Sequence, residues 1–209
     1  KAVAPGICGA AYANNGQVCF AIKRVYVHES KYDAVCAELA ALADAAVVDD
    51  GMKQGTTLGP LQNRAQYEKV KGFLQAANTD GTVISGGAAV DRAGYFIRPT
   101  VVRDIGDDSI VVRQEQFGPI LPVLKFSDED DVVRRANDCE FGLGASIWSS
   151  DKDRARVLAA RIEAGTVWVN KHLELPPHIP FGGAKQSGIG VEFGDEGLAE
   201  FTQAVIVNS

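Results

Sequence analysis

Cys19 closes the hexapeptide Asn14-Asn15-Gly16-Gln17-Val18-Cys19. Two asparagines and a glycine end a helix-like opening segment and turn the chain sharply. A thiol in such a turn can face a cleft. Backbone N–H groups at turns and helix ends favour its thiolate, the nucleophilic form. By itself the pattern does not separate a catalytic cysteine from a structural one.

A second group is Gln114-Glu115-Gln116-Phe117-Gly118-Pro119. A carboxylate and a ring followed by Gly-Pro read as a rigid, exposed corner ahead of a buried strand. An extended backbone would put Glu115 and Phe117 on one side. There a carboxylate can accept hydrogen bonds from ribose hydroxyls, and a ring can pack on a flat heterocycle. The plain alternative is a solvated glutamate and a core phenylalanine. A third group, residues 180–190 (PFGGAKQSGIG), holds four glycines in eleven residues. Its spacing fits neither a P-loop nor a dinucleotide fingerprint, and no helix starts directly after it. We read it as a structural loop crossing beneath the active site.

These groups need elements to hold them. Residues 24–28 (RVYVH) read as a strand. Ser30 is placed to cap the next helix, with Tyr32, Val35, Leu39 and Leu42 inward. Residues 51–60 form a loop. Residues 62–78 read as an amphipathic helix burying Val70, Phe73, Leu74 and Ala77. A short strand over 82–85 ends at Gly86-Gly87, and 94–104 looks extended. A strand over 120–126 precedes a helix over 129–139 capped by Asp128. A strand over 144–149 is followed by a helix over 152–164, capped by Asp151 and stopped by Gly165. After a strand over 166–170 comes a short helix around 196–201, then a last strand over 204–208. Apolar strands alternating with helices imply a three-layer α/β/α fold with a mostly parallel sheet. There is no internal repeat or linker. The expected organisation is a catalytic domain over 1–202 and a terminal strand over 203–209. That strand can extend its own sheet or add to a partner's sheet edge.

Of the 209 residues, 46% are hydrophobic and 23% charged, the balance of a soluble globular chain. A net charge of -6, without any Lys/Arg run, argues against nucleic acid as a partner. No apolar run reaches membrane-spanning length, so no membrane partner is expected. Cys8, Cys19, Cys36 and Cys139 form no C-x-x-C, and His28, His172 and His178 are scattered, so no metal site is expected. Cys36 and Cys139 read as structural thiols, which leaves Cys8 as the competitor to Cys19. A reduced, cytoplasmic setting fits better than a disulfide scaffold. The chain opens on Lys1 within a helix-like segment, and we read it as a fragment whose targeting signal could be lost.

Together the three groups resemble the aldehyde dehydrogenase superfamily along essentially the whole chain. Residues 15–24 (NGQVCFAIKR) are similar to its catalytic-cysteine motif, and 115–119 (EQFGP) to its cofactor-contacting motif. Residues 180–190, with Glu192, Gly197-Leu198 and Phe201-Thr202, are similar to its C-terminal signature. The resemblance implies that Cys19 is the nucleophile, that Glu115 binds the nicotinamide ribose, and that Phe117 borders the nicotinamide ring. It implies NAD or NADP as cofactor, an aldehyde as substrate, and a homo-oligomer that uses the terminal strand.

The implied reaction is oxidation of an aldehyde to a carboxylic acid through a Cys19 thiohemiacetal and thioester. The Cys19 N–H would help hold the oxyanion, and a general base would activate water for release. That base, the oxyanion asparagine and the Rossmann-type cofactor domain belong upstream in the family, so the 209 residues alone are expected to be inactive. Two other readings stand beside this one. One is an acylating relative that passes the thioester to coenzyme A. The other is a non-catalytic homologue acting as a binding or structural protein, against which intact Cys19, Glu115 and Phe117 argue. Residues 171–179 (KHLELPPHI) would line the substrate entrance.

Overall fold

The computed structural model describes residues 3–209; Lys1 and Ala2, the start of the expected catalytic domain, lie outside the described residues. The chain divides into two compact units, Lys1–Arg135 and Ala136–Ser209.

In the first unit Pro5 sits in the opening turn of α1 (Ala4–Tyr12), where its missing N–H costs nothing. Strand β1 (Val25–His28) leads into a short 3-10 turn, Glu29–Lys31, and α2 (Tyr32–Asp44). Ser30 does not cap α2. It lies in the 3-10 turn, and its N–H donates to the His28 ring. The buried face of α2 is Tyr32, Cys36, Leu39 and Ala43, while Leu42 is exposed. The helix is rotated from the expected register because Tyr32 turns fully inward to donate to the Val123 carbonyl at 3.0 Å.

Asn63 caps α3 (Arg64–Asp80) by accepting from the Gln66 N–H, and Val70, Phe73, Leu74 and Ala77 are buried as the periodicity requires. Then come β2 (Thr82–Ser85), β3 (Thr100–Arg103), one helical turn α4 (Ile110–Arg113), β4 (Ile120–Phe126) and α5 (Glu129–Asn137). Asp128 caps α5 by accepting from the Asp131 N–H at 2.8 Å.

The sheet of this unit runs β1-β4-β3-β2. The first three strands are parallel and β2 is an antiparallel edge. Val102, Ile120 and Leu124 point into one apolar cluster with Val70, Phe73 and Val111 of α3 and α4. By alternation, the fully buried Leu121 and Val123 point to the opposite face, where α1 and α2 pack. Helices therefore cover both sides of a mostly parallel sheet, the expected three layers.

In the second unit a two-residue strand β5 (Phe141–Gly142) precedes β6 (Gly144–Ile147), which pairs in parallel with β7 (Thr166–Val169) around α6 (Lys152–Ala159). Asp151 caps α6 by accepting from the Arg154 N–H, but the helix ends at Ala159, before Gly165. Gly165 instead marks a close backbone crossing, since a Cβ there would lie 1.8 Å from the Gly182 carbonyl oxygen. Two-residue strands β8 (Phe181–Gly182), β9 (Ala184–Lys185) and β10 (Val191–Glu192) precede α7 (Gly194–Ala199). Residues 203–209 carry no strand and are exposed, including Val205, Ile206 and Val207.

Candidate active site

After α1 the backbone enters the left-handed region at Asn14 (φ 48°), Asn15 (φ 58°) and Gly16 (φ 72°). Side chains of the turn fix it. Asn14 Nδ2 donates to the Gln17 carbonyl at 3.1 Å, and Asn15 Nδ2 donates to the Pro60 carbonyl at 3.0 Å. Gln17 Oε1 accepts from the Gln62 N–H at 3.2 Å. The turn leaves Cys19 exposed. Burial pushes the Cys8 thiol up to about 11 and raises that of Cys36, while Cys139 is half-buried.

The 114–119 segment departs from the expected shape. Glu115 is exposed, Gln116 is fully buried, and Phe117 adopts a left-handed φ of 49°, so the chain is not extended through the ring. The cause is Gln66 on α3, whose Nε2 donates to the carbonyls of both Gln116 (2.9 Å) and Phe117 (2.8 Å). Gln116 Nε2 in turn donates to the Val111 carbonyl. Gly118 and Pro119 are buried rather than exposed. They deliver the chain into β4, with Pro119 accepting from the Thr100 N–H at 2.9 Å.

Two glycines bring the cysteine turn and this corner together. A Cβ on Gly16 would lie 2.4 Å from the Gly118 carbonyl oxygen, and one on Gly118 would lie 2.5 Å from Val70 Cγ2. The turn and the corner are thus in backbone contact, and the corner backbone lies against the Val70 side chain of α3, an approach that a side chain at either glycine would obstruct.

Lys23 was not singled out from the sequence. Its ammonium donates to the Gly16 carbonyl and lies 5.2 Å from the centroid of the Phe117 ring. Burial lowers its pKa to about 8; the negative charges of Glu115 and Cys19 oppose that shift, and Lys69 adds to it. The available signal was weak: a lysine after the apolar run Phe20-Ala21-Ile22, four residues past the cysteine.

The glycine-rich loop lies in the second unit. Its β9 pairs with β5 and its β8 pairs with β10, and a Cβ on Gly183 would lie 2.6 Å from Ser187 Cβ. Lys185 Nζ donates to the Asn137 carbonyl at 2.6 Å and pairs with Glu163 at 2.7 Å. Gly183 of the loop serves close packing inside that unit, whereas a Cβ on Gly188 or Gly190 would meet nothing within 4 Å. Among the described residues no group of three His, Cys, Asp or Glu could hold a metal ion.

Residues 1–207 match the profile of the Aldehyde dehydrogenase family. The chain belongs to that family. It is 42% identical over 193 residues to the mitochondrial aldehyde dehydrogenase of Leishmania tarentolae, covering 92% of this chain and 39% of that protein. It is 41% identical over 202 residues to the phenylacetaldehyde dehydrogenase of Pseudomonas fluorescens, covering 95% of this chain and 40% of that protein. Among solved structures, the NAD+ complex of aldehyde dehydrogenase from Bacillus cereus superposes with a TM-score of 0.92 at 37% identity, over 96% of this chain and 41% of that one. The chain thus spans about two fifths of the length of the aldehyde dehydrogenases it matches.

Proposed function

We propose that this chain is the cysteine-bearing catalytic part of an NAD(P)-dependent aldehyde dehydrogenase, with Cys19 as the nucleophile. The observation that carries the reading is the contact between the Cys19 turn and the 115–119 corner through Gly16 and Gly118. It sets the turn that carries the exposed thiol against the corner that carries a carboxylate and a ring, which supports a nicotinamide nucleoside as the neighbour of that thiol. In the first step the thiolate adds to the aldehyde carbon. A C–S bond forms, the carbonyl electron pair moves to oxygen, and the Cys19 N–H is the assigned donor to that oxyanion.

Glu115 and Phe117 fit the cofactor end assigned to them. The carboxylate is exposed, able to accept from ribose hydroxyls, and the backbone that carries the ring is held by the two Gln66 hydrogen bonds, leaving the ring able to border a flat heterocycle. When bound, NAD(P) supplies the hydride acceptor. The NAD+ complex of the Bacillus cereus relative supports this cofactor class. We assign the role of deacylating base to no glutamate of these residues. No helix among the described residues is long and apolar enough to cross a membrane; a cytoplasmic setting, and pairing of residues 203–209 with a partner's sheet edge in a homo-oligomer, complete the proposal.

The test is competitive alkylation. The folded chain is treated with substoichiometric iodoacetamide and the labelled peptides are mapped. Cys19 is expected to take most of the label. Preferential labelling of Cys8, Cys36 or Cys139 would overturn the assignment.

A further inference from the structure

Lys23 has four neighbours from two separate segments. Its ammonium donates to the carbonyl of Gly16, inside the turn that presents Cys19. It lies over the ring of Phe117 at 5.2 Å, the geometry of a cation–π contact. Its charge is felt by the Glu115 carboxylate and by Cys19 in its anionic form. The backbone of Lys23 is held in place as well, its carbonyl lying 3.5 Å from Gln116 Nε2 as an acceptor. A half-buried ammonium is costly unless something uses it. A salt bridge at the surface would not need the stem threaded between a left-handed turn and a ring.

We propose that Lys23 is a positioning residue of this site, whose ammonium clamps the Gly16 carbonyl to the Phe117 ring and places a positive charge beside the Cys19 sulfur. The clamp fixes the turn against the corner from inside, so the thiol and the ring hold one mutual arrangement. The charge attracts the anionic form of the nucleophile. The groups facing the ammonium are Glu115 from the corner, Cys19 from the turn and Lys69 from α3; Lys69 is of like sign and weakens the hold on the proton. The effect therefore fades as pH rises through about 8, where Lys23 becomes neutral. This inference rests on the assignment of Cys19 as nucleophile.

The experiment measures the iodoacetamide rate at Cys19 in the folded chain from pH 6.5 to 10, for wild type, Lys23→Met and Lys23→Arg. Wild type is expected to react several-fold faster than Lys23→Met at pH 7, with the ratio falling towards one above pH 9. Lys23→Arg keeps its charge throughout, so it should match wild type at pH 7 and exceed it above pH 9. This second variant keeps the test valid if Lys23→Met does not fold. Equal rates for wild type and Lys23→Met at pH 7, a ratio that stays constant with pH, or a Lys23→Arg profile identical to wild type above pH 9 would each overturn the proposal. Label that favours another cysteine in wild type would instead overturn the nucleophile assignment.

Discussion

At the residue scale the site depends on backbone that only particular residues tolerate. Gly16 combines a φ of 72° with an absent Cβ facing the Gly118 carbonyl. Gly16→Ala meets both a left-handed penalty of roughly 1–2 kcal/mol and an overlap costing about 1–3 kcal/mol. We expect a loss of about 2 kcal/mol or more in urea unfolding, with slower Cys19 alkylation in what remains folded. Lys23 makes a separate, pH-dependent contribution. Its pKa in the fold is about 8, below the unfolded value of about 10.4. Below 8 both states carry the proton and the cost of burying the ammonium is fully present. Between these values the unfolded state binds more protons, so this group's contribution to stability rises with pH. Cys8 and Cys36, whose thiols are raised by burial, pull the other way at alkaline pH. The readout is therefore the urea midpoint of wild type minus that of Lys23→Met, which should increase from pH 7.5 to 9.5. A flat difference would show that burial does not lower this ammonium.

At the element scale α3 is the rod on which the corner is mounted. Gln66 near its start holds the Phe117 carbonyl, and Val70 one turn later packs against Gly118. Gly118→Ala should destabilise by about 1–3 kcal/mol, because its new Cβ meets Val70 Cγ2 at 2.5 Å. Val70→Ala removes both methyl groups and leaves only the Val70 Cβ, at 3.4 Å, in contact. The double variant should be more stable than the sum of the single losses by about 1 kcal/mol, measured as a double-mutant cycle. Strict additivity would mean that this contact does not set the corner. The cap is a simpler lever: Asn63→Ala should cost about 1 kcal/mol in denaturant unfolding, because its side chain satisfies the Gln66 N–H at the first turn.

At the scale of the whole molecule, the proposal gives these residues a nucleophile and one end of a cofactor site. Hydride transfer needs the nicotinamide held within reach of the bound carbon, and positioning supplies several kcal/mol of such a barrier. The proposed roles of Glu115 and Phe117 cover only the nicotinamide end. We therefore expect no sustained reduction of NAD or NADP when the 209 residues are mixed with a panel of aldehydes and followed at the reduced-nicotinamide band; turnover abolished by Cys19→Ala would contradict this. Val205, Ile206 and Val207 are exposed on a segment without secondary structure, an apolar stretch that sheet pairing with another chain would cover. Light scattering at micromolar concentration should show a dimer or larger species, reduced by replacing all three with serine.

The sequence by itself determined the elements whose signals are local. A continuous apolar run located β4, a period-3.6 pattern located the buried face of α3, and the oxygen side chains of Asp128 and Asp151 marked helix starts, because caps and amphipathic faces are set by neighbours within a few residues. The Asn-Asn-Gly run likewise announced the turn before Cys19. Only the tertiary structure decided what depends on partners far along the chain. Tyr32 turned α2 by reaching Val123, and Gln66 bent Phe117 out of the extended shape. The Gly16–Gly118 contact joins residues about a hundred positions apart, and Lys23 acquires its role only once that contact is made. A residue's type sets which bonds it can form, but the long-range packing of the chain decides which partner arrives, and no periodicity within one segment carries that information.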